Sequence, residues 1–200
     1  MKRLFDILLS SIGLILSSPL WFLISLAIIL EDGWPIFYRQ ERVGKRGKIF
    51  KAIKFRSMIK DAESGIGPVQ AVENDLRVTK VGMILRATAM DELPQLWNIL
   101  KGDMSFVGPR ALRPEELEIK GNPEILSIEK IPRYEKRLTV RPGLTGLAQV
   151  YLPSDAPRRD KFRYDLLYIK NQSFLLDLRL IFLSFWITFR GKWESRQKKV

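Results

Sequence analysis

The chain has 200 residues, enough for one domain with a real core, and it contains neither cysteine nor histidine. That composition excludes disulfides, thiol and imidazole catalysis and zinc sites of the usual nitrogen-and-sulfur kind. An enzyme built from it must draw on carboxylates, hydroxyls or lysines, with any metal a hard cation held by oxygen. A formal net charge of +12 points to an anionic partner, whether nucleic acid, membrane surface or phosphorylated substrate, and does not choose among them.

From Ile7 to Leu30 no residue is charged, a run longer than the roughly 20 apolar residues that span a bilayer core. Membrane association is expected. A cleaved signal peptide fits poorly, because the apolar region is too long. Ser17, Ser18 and Pro19 interrupt the run at its middle, where proline removes a backbone hydrogen bond and serine hydroxyls can satisfy the freed carbonyl. Lysines and arginines flank both sides, Lys2 and Arg3 before it and a dense set from Arg39 to Arg56 after it, a bias that favours cytoplasmic ends. A bent helix that enters and leaves by one face, with Pro19 at its apex and Asp6 at headgroup depth, satisfies both observations. An ordinary spanning helix with a tolerated proline also fits.

Pro35 to Arg42, the turn Gly44 to Gly47 and the segment Lys48 to Met58 read as a β-hairpin with a basic tip near the headgroups. Asp61 to Asp75 reads as a surface loop. Helical patterns return over Val78 to Arg86 and Pro94 to Leu100, the second with Leu96, Trp97 and Leu100 as its apolar face and Gly102 as its stop. The elbow between them holds Asp91 and Glu92. Pro94 sets both carboxylates at the amino end of the second helix, where exposed amides favour ionised acids. An Asp helix cap with an incidental Glu explains them blandly. The alternative is an aspartate nucleophile toward phosphorus, one of the few nucleophiles this composition offers, with Arg86 and Arg110 near it in sequence to screen phosphate charge.

Pro109-Arg110 and the stretch Arg141 to Gly146 are turn-rich, with arginine beside glycine, a composition suited to phosphate; plain turns explain them equally well. The uncharged run Leu180 to Phe189 is too short to span and suits either an interfacial helix, with Trp186 and Trp193 near the headgroups, or core packing.

The stretches FDILLSSIGLILSSP, KFRSM, LRATAMDELPQLWNILKGDMSFVGPR, VRPGLTGLAQV and YDLLYIKNQSFLLDL together resemble the bacterial sugar transferases, the monotopic phosphoglycosyl transferases, in their minimal catalytic form. The resemblance runs from about Lys2 to Ile187. It implies a mainly α fold with a small β-hairpin (α+β): a re-entrant membrane helix over residues 1–32, with Ser18 and Pro19 as its membrane motif, and a catalytic domain over 33–200 that lies on the membrane surface and ends in an amphipathic helix. It implies transfer of a sugar 1-phosphate from a UDP-sugar to polyprenyl (undecaprenyl) phosphate with release of UMP, at the cytoplasmic face of the bacterial inner membrane. Such transfer initiates glycoconjugate or exopolysaccharide synthesis.

By the same matching Asp91 is the nucleophile and Glu92 its partner in a catalytic dyad, both also placed to hold Mg2+. Lys54, Arg86, Arg110, Arg141 and Gln149 match positions for substrate-phosphate support. The implied partners are donor, lipid acceptor and membrane lipid, with no nucleic acid and with room for a homodimer. After Gln149-Val150 the chain departs from relatives that act on N-acetylated sugars: Tyr151 to Arg159 replaces their asparagine-glycine-arginine stretch, so the sugar stays open. Outside this class stand a membrane-tethered protein that binds anionic ligands and a scaffold without catalysis; neither needs Asp91.

Overall fold

The computed structural model describes residues 1–62, 75–114, 117–118, 126–191, 193 and 199–200. Most of the loop expected over Asp61 to Asp75 lies outside them. The fold is mainly helical, with small two-stranded sheets.

Helix α1 runs from Lys2 to Asp32 with Pro19 inside it. Proline has no N–H to offer the carbonyl four residues back, that of Ile15. The Ser18 hydroxyl donates to that oxygen at 2.8 Å, so the neighbouring serine repairs the gap. Both ends of α1 are tied to the body of the protein. At the start, Arg3 donates to the carbonyls of Ile99 and Leu100, and Lys2 pairs with Asp177 at 2.5 Å. At the end, the Glu31 carboxylate accepts from the amides of Lys80 and Val81, and Asp32 pairs with Arg56 at 3.0 Å. Ile15, Leu16, Ser18 and Pro19, between them, are exposed.

Asp6, expected at headgroup depth, makes its contacts inside the protein. It is buried inside the protein, where one carboxylate oxygen accepts from the Ser105 hydroxyl and the Phe106 amide. Two donors offset the cost of its burial, which lipid headgroups need not do.

Strands β1 (Phe37–Val43) and β2 (Ile49–Phe55) form the expected hairpin, antiparallel in register from Phe37 opposite Phe55 to Val43 opposite Ile49. Its tip is fastened to the domain, since the Arg46 amide donates to the Leu138 carbonyl at 2.8 Å. Helix α2 (Lys80–Ala87) starts at Thr79, whose side chain accepts from the Gly82 amide. Helix α3 (Gln95–Lys101) stops at Gly102, which adopts φ 94°, the left-handed conformation that favours glycine. Its buried side is Gln95, Leu96, Asn98 and Ile99, while Trp97 is half exposed, so the apolar face expected from Leu96, Trp97 and Leu100 is rotated toward Ile99.

The stretches read as turn-rich, Pro109-Arg110 and Arg141 to Gly146, lie side by side, with the Gly143 amide donating to the Pro109 carbonyl at 2.9 Å. Strands β3 (Ser105–Val107) and β6 (Gly143–Thr145) are parallel, and a Cβ at Gly143 would lie 2.0 Å from the Gly108 amide nitrogen, so only glycine lets these backbones meet. Between them come β4 (Leu117–Glu118), β5 (Leu126–Ser127) and α4 (Tyr134–Arg137). Helices α5 (Leu147–Tyr151), α6 (Arg158–Lys170) and α7 (Phe174–Phe189) complete the chain.

The main core joins Phe50, Leu96, Ile99, Met104, Val107, Val150, Tyr168, Leu180 and Ile187, and a second cluster packs Ile24 and Ile28 of α1 on Phe55 and Leu85. Helix α7 thus serves the core with one face. Its other face exposes Phe174, Leu175, Phe182, Phe185, Trp186 and Phe189, and α1 exposes Leu4, Leu8, Leu16, Phe22, Leu23 and Leu30. Helix α1 is long and apolar enough to cross a membrane, and apolar surface on this scale associates the protein with one.

Candidate active site

The acid pair sits in a single 3-10 turn, Met90–Glu92, immediately before α3. Ala89 opens that turn at φ 53°, a left-handed conformation uncommon for a residue with a side chain. Neither carboxylate stands at a helix cap position: Ala89 is the cap residue of the turn and Pro94 that of α3. The bland reading of Asp91 as a cap therefore fails. Both residues are nonetheless more than nine-tenths buried, which ionised side chains tolerate only beside compensating charge.

Lys54 and Arg110 supply that charge. Strand alternation puts Lys54 on the same face of β2 as Phe50 and Ala52, toward α3. Its ammonium lies 2.5 Å from a Glu92 oxygen and 3.6 Å from an Asp91 oxygen. Arg110, which follows β3, reaches the same Glu92 oxygen at 3.5 Å. Burial pushes the Glu92 carboxyl up, but Lys54 and Arg110, helped by the charge of Arg42, hold it at about 2. Glu92 is an anion at any physiological pH.

The frame behind these groups explains their placement. Asn98, in the buried strip of α3, accepts from the Ile53 amide at 3.0 Å and donates to the Lys51 carbonyl at 2.8 Å, so its amide takes the place of a neighbouring strand along β2. That pair of bonds fixes Lys54 relative to the Asp91 turn. Arg137 performs a similar service for Arg110 by donating to its carbonyl at 2.9 Å while it pairs with buried Asp165 at 2.7 Å. Burial raises the Asp165 carboxyl and Arg137 opposes it.

Of the residues singled out from sequence, Lys54, Asp91, Glu92 and Arg110 come together in space. Arg141 is placed elsewhere: its Nε donates to the Gly102 carbonyl at the far end of α3 from the acid pair, beside the carbonyls held by Arg3. Arg86 lies in the last turn of α2, half buried, on the approach to the acid turn. Gln149 is buried in α5, neither polar atom of its side chain has a hydrogen-bond partner among the described residues, and its Oε1 lies 2.6 Å from where a Cβ on Gly146 would stand. Ser18 and Pro19 lie in the exposed middle of α1. Asn98 and Arg137 were not foreseen; a lone Asn within the apolar run LWNIL was the available signal for the first.

This site sits in a chain whose residues 1–191 match the model of the bacterial sugar transferases. The chain belongs to the bacterial sugar transferase family. The transferase is 41% identical over 187 residues to the exopolysaccharide production protein PSS of Rhizobium leguminosarum bv. phaseoli, a match that covers 91% of this chain and 92% of that protein. It is 43% identical to the UDP-glucose:undecaprenyl-phosphate glucose-1-phosphate transferase of Klebsiella pneumoniae over 96% of this chain and 40% of that protein. It is 41% identical to the UDP-N-acetylgalactosamine-undecaprenyl-phosphate N-acetylgalactosaminephosphotransferase of Aeromonas hydrophila, over 90% of this chain and 42% of that protein. The transferase thus spans nearly all of the rhizobial protein and about two fifths of the other two.

Proposed function

We propose that this enzyme transfers a sugar 1-phosphate from a UDP-sugar to polyprenyl phosphate in two displacements at one carboxylate. An Asp91 oxygen attacks the phosphorus that bears the sugar, the bond to the uridine-side phosphate breaks, and UMP leaves with that electron pair. An oxygen of the lipid phosphate then attacks the same phosphorus, frees Asp91 and closes the diphosphate link of the lipid-linked sugar. The observation that carries this reading is the buried Asp91-Glu92 pair between Lys54 and Arg110. An anionic nucleophile meets an anionic substrate there, and the two cations lower the repulsion that would forbid the encounter in water.

Lys54 touches both carboxylates, so it orients the nucleophile as well as screening it. Magnesium fits the donor set, because it takes one or two carboxylates and completes its shell with substrate oxygens and water. No group of three or more acidic ligands gathers among the described residues, so Asp91 and Glu92 would hold the ion jointly with the diphosphate. When bound it neutralises charge on that diphosphate.

The lipid acceptor requires the site to stand at the headgroups. Tethers at both ends of α1, with an exposed middle at Ile15 to Pro19, support a helix that dips into one leaflet and returns, from the cytoplasmic face of the inner membrane. A helix of this length, ~46 Å at the usual rise, could not cross the bilayer and keep both ends on one water-side domain. The exposed aromatic face of α7 supports a second, interfacial contact. Residues 1–32 then anchor and 33–200 catalyse.

Two relatives of almost equal identity carry names for glucose and for N-acetylgalactosamine transfer, so overall likeness does not select the sugar. A panel of UDP-sugars offered with magnesium and polyprenyl phosphate, read as UMP release, tests the reading and finds the donor. Wild type should release UMP from one or two donors, and Asp91→Asn should lower that rate about a thousandfold or more. Equal rates in wild type and variant on every donor would contradict it.

A further inference from the structure

The two cations at the acid pair come from distant parts of the chain, Lys54 from β2 and Arg110 from the end of β3, so their spacing is a tertiary property. The Arg110 side chain is 41% exposed and meets Glu92 at 3.5 Å, so its aim depends on how its backbone is held. Arg137 donates to the Arg110 carbonyl and the Gly143 amide to the Pro109 carbonyl, which tie that backbone to α4 and β6. Neither bond refers it to Lys54.

The hairpin does. The Val43 amide donates to the Leu112 carbonyl at 2.8 Å, and Arg42 Nη1 donates to the Ala111 carbonyl at 3.0 Å. The other terminal nitrogen of Arg42, Nη2, donates to Gln40 Oε1, and Gln40 Nε2 donates to the Tyr38 hydroxyl at 3.1 Å. Because arginine can only donate, this order also fixes which way the Gln40 amide faces. Tyr38, Gln40 and Arg42 alternate along β1 and so share one face, and the register sets Tyr38 directly opposite Lys54. A continuous row thus runs from the strand partner of Lys54 to the residue after Arg110. The charge of Arg42 also reaches Glu92, which agrees with a guanidinium close to the acid pair. A residue serving only to fasten the hairpin would repeat what the Val43 and Arg46 amides already do at Leu112 and Leu138.

We propose that Arg42 is a positioning residue for the transfer: through the Ala111 carbonyl it sets Arg110 at its working distance from Lys54, and Gln40 holds its planar fork in place. This rests on the reading of the enzyme as a UDP-sugar transferase. Arg42 acts on the reaction through Arg110, which screens the phosphate, and two acceptors on two nitrogens of one rigid fork give the precision that a flexible ammonium lacks.

A double-mutant cycle on kcat/KM for the donor, read as UMP release by the full chain in detergent with magnesium and polyprenyl phosphate, tests this. Arg42→Gln should lower kcat/KM about tenfold or more and Arg110→Gln about a hundredfold, but adding Arg42→Gln to Arg110→Gln should change it less than about twofold. Arg42→Lys keeps the charge and loses the fork, so it should stay about fivefold or more below wild type. Losses that multiply in the double variant, or a wild-type rate in Arg42→Lys, overturn the proposal, the first by showing a general structural role and the second by showing that charge alone acts. If Arg42→Gln fails to fold, Gln40→Met decides in the same cycle, with an expected loss of about threefold that vanishes beside Arg110→Gln. Wild type that releases UMP from no UDP-sugar removes the transferase reading and this role with it; wild type that releases it, beside multiplying losses, removes the role alone.

Discussion

Glu92 shows how a buried charge becomes usable. Its carboxyl sits at about 2 because Lys54 and Arg110 outweigh burial, so it is ionised far below neutrality. A folded-state value below the ordinary 4.5 means that the ionised form adds stability above pH 4.5 and that this contribution is lost as pH falls toward 2. Wild type should therefore show no acidic limb from Glu92 in its pH–rate profile between pH 5 and 8. In Lys54→Met the largest opposing charge is gone, burial prevails, and a limb should enter from the acid side, with activity falling as pH drops; an unchanged profile would count against Lys54 as the screen. Lys161 follows the opposite sign: a lysine held at about 7 destabilises the fold below its unfolded value, so Lys161→Met should melt no lower than wild type at neutral pH in thermal unfolding. Asp6 carries a simpler burden. Asp6→Leu leaves the Ser105 hydroxyl and Phe106 amide without an acceptor, a loss of about 1–3 kcal/mol that thermal unfolding in detergent would register.

At the level of elements, local rules found what is local. The hairpin, α2 and the glycine stop of α3 were legible because alternation, the apolar repeat and turn chemistry act within a few residues. The parallel pairing of β3 with β6 was not, since it joins stretches far apart in sequence whose glycines looked like turn residues and serve close backbone approach instead. Asp91, Glu92 and Arg110 were singled out from the residues themselves and Lys54 from motif resemblance. Their convergence depends on Asn98 bridging α3 to β2, and no local pattern reveals that bridge. Arg141 was read as phosphate support, yet its guanidinium sits on the α3 terminus, a placement set by tertiary contact alone. Gly102 offers an element-scale test. With φ at 94° and the Arg3 guanidinium 3.1 Å from where a Cβ would stand, Gly102→Ala should cost roughly 1–2 kcal/mol and loosen the start of α1.

On the scale of the molecule, the proposed reading has a membrane helix, tied to the protein at both ends, bring the acid pair to a lipid headgroup. The absence of cysteine makes this topology easy to examine, because single-cysteine variants need no background removal. Met1→Cys and Lys60→Cys, in sealed inverted vesicles, should both react with a membrane-impermeant maleimide; reaction of only one would mean that α1 crosses. The central claim is the covalent role of Asp91, and intact-protein mass spectrometry tests it most directly. Protein mixed with its UDP-sugar and magnesium, without lipid, then quenched in acid, should gain the mass of one sugar phosphate, mapped by peptide analysis to Asp91 and discharged on adding polyprenyl phosphate. A catalytically competent protein that never carries the adduct, or carries it on another residue, would contradict the account.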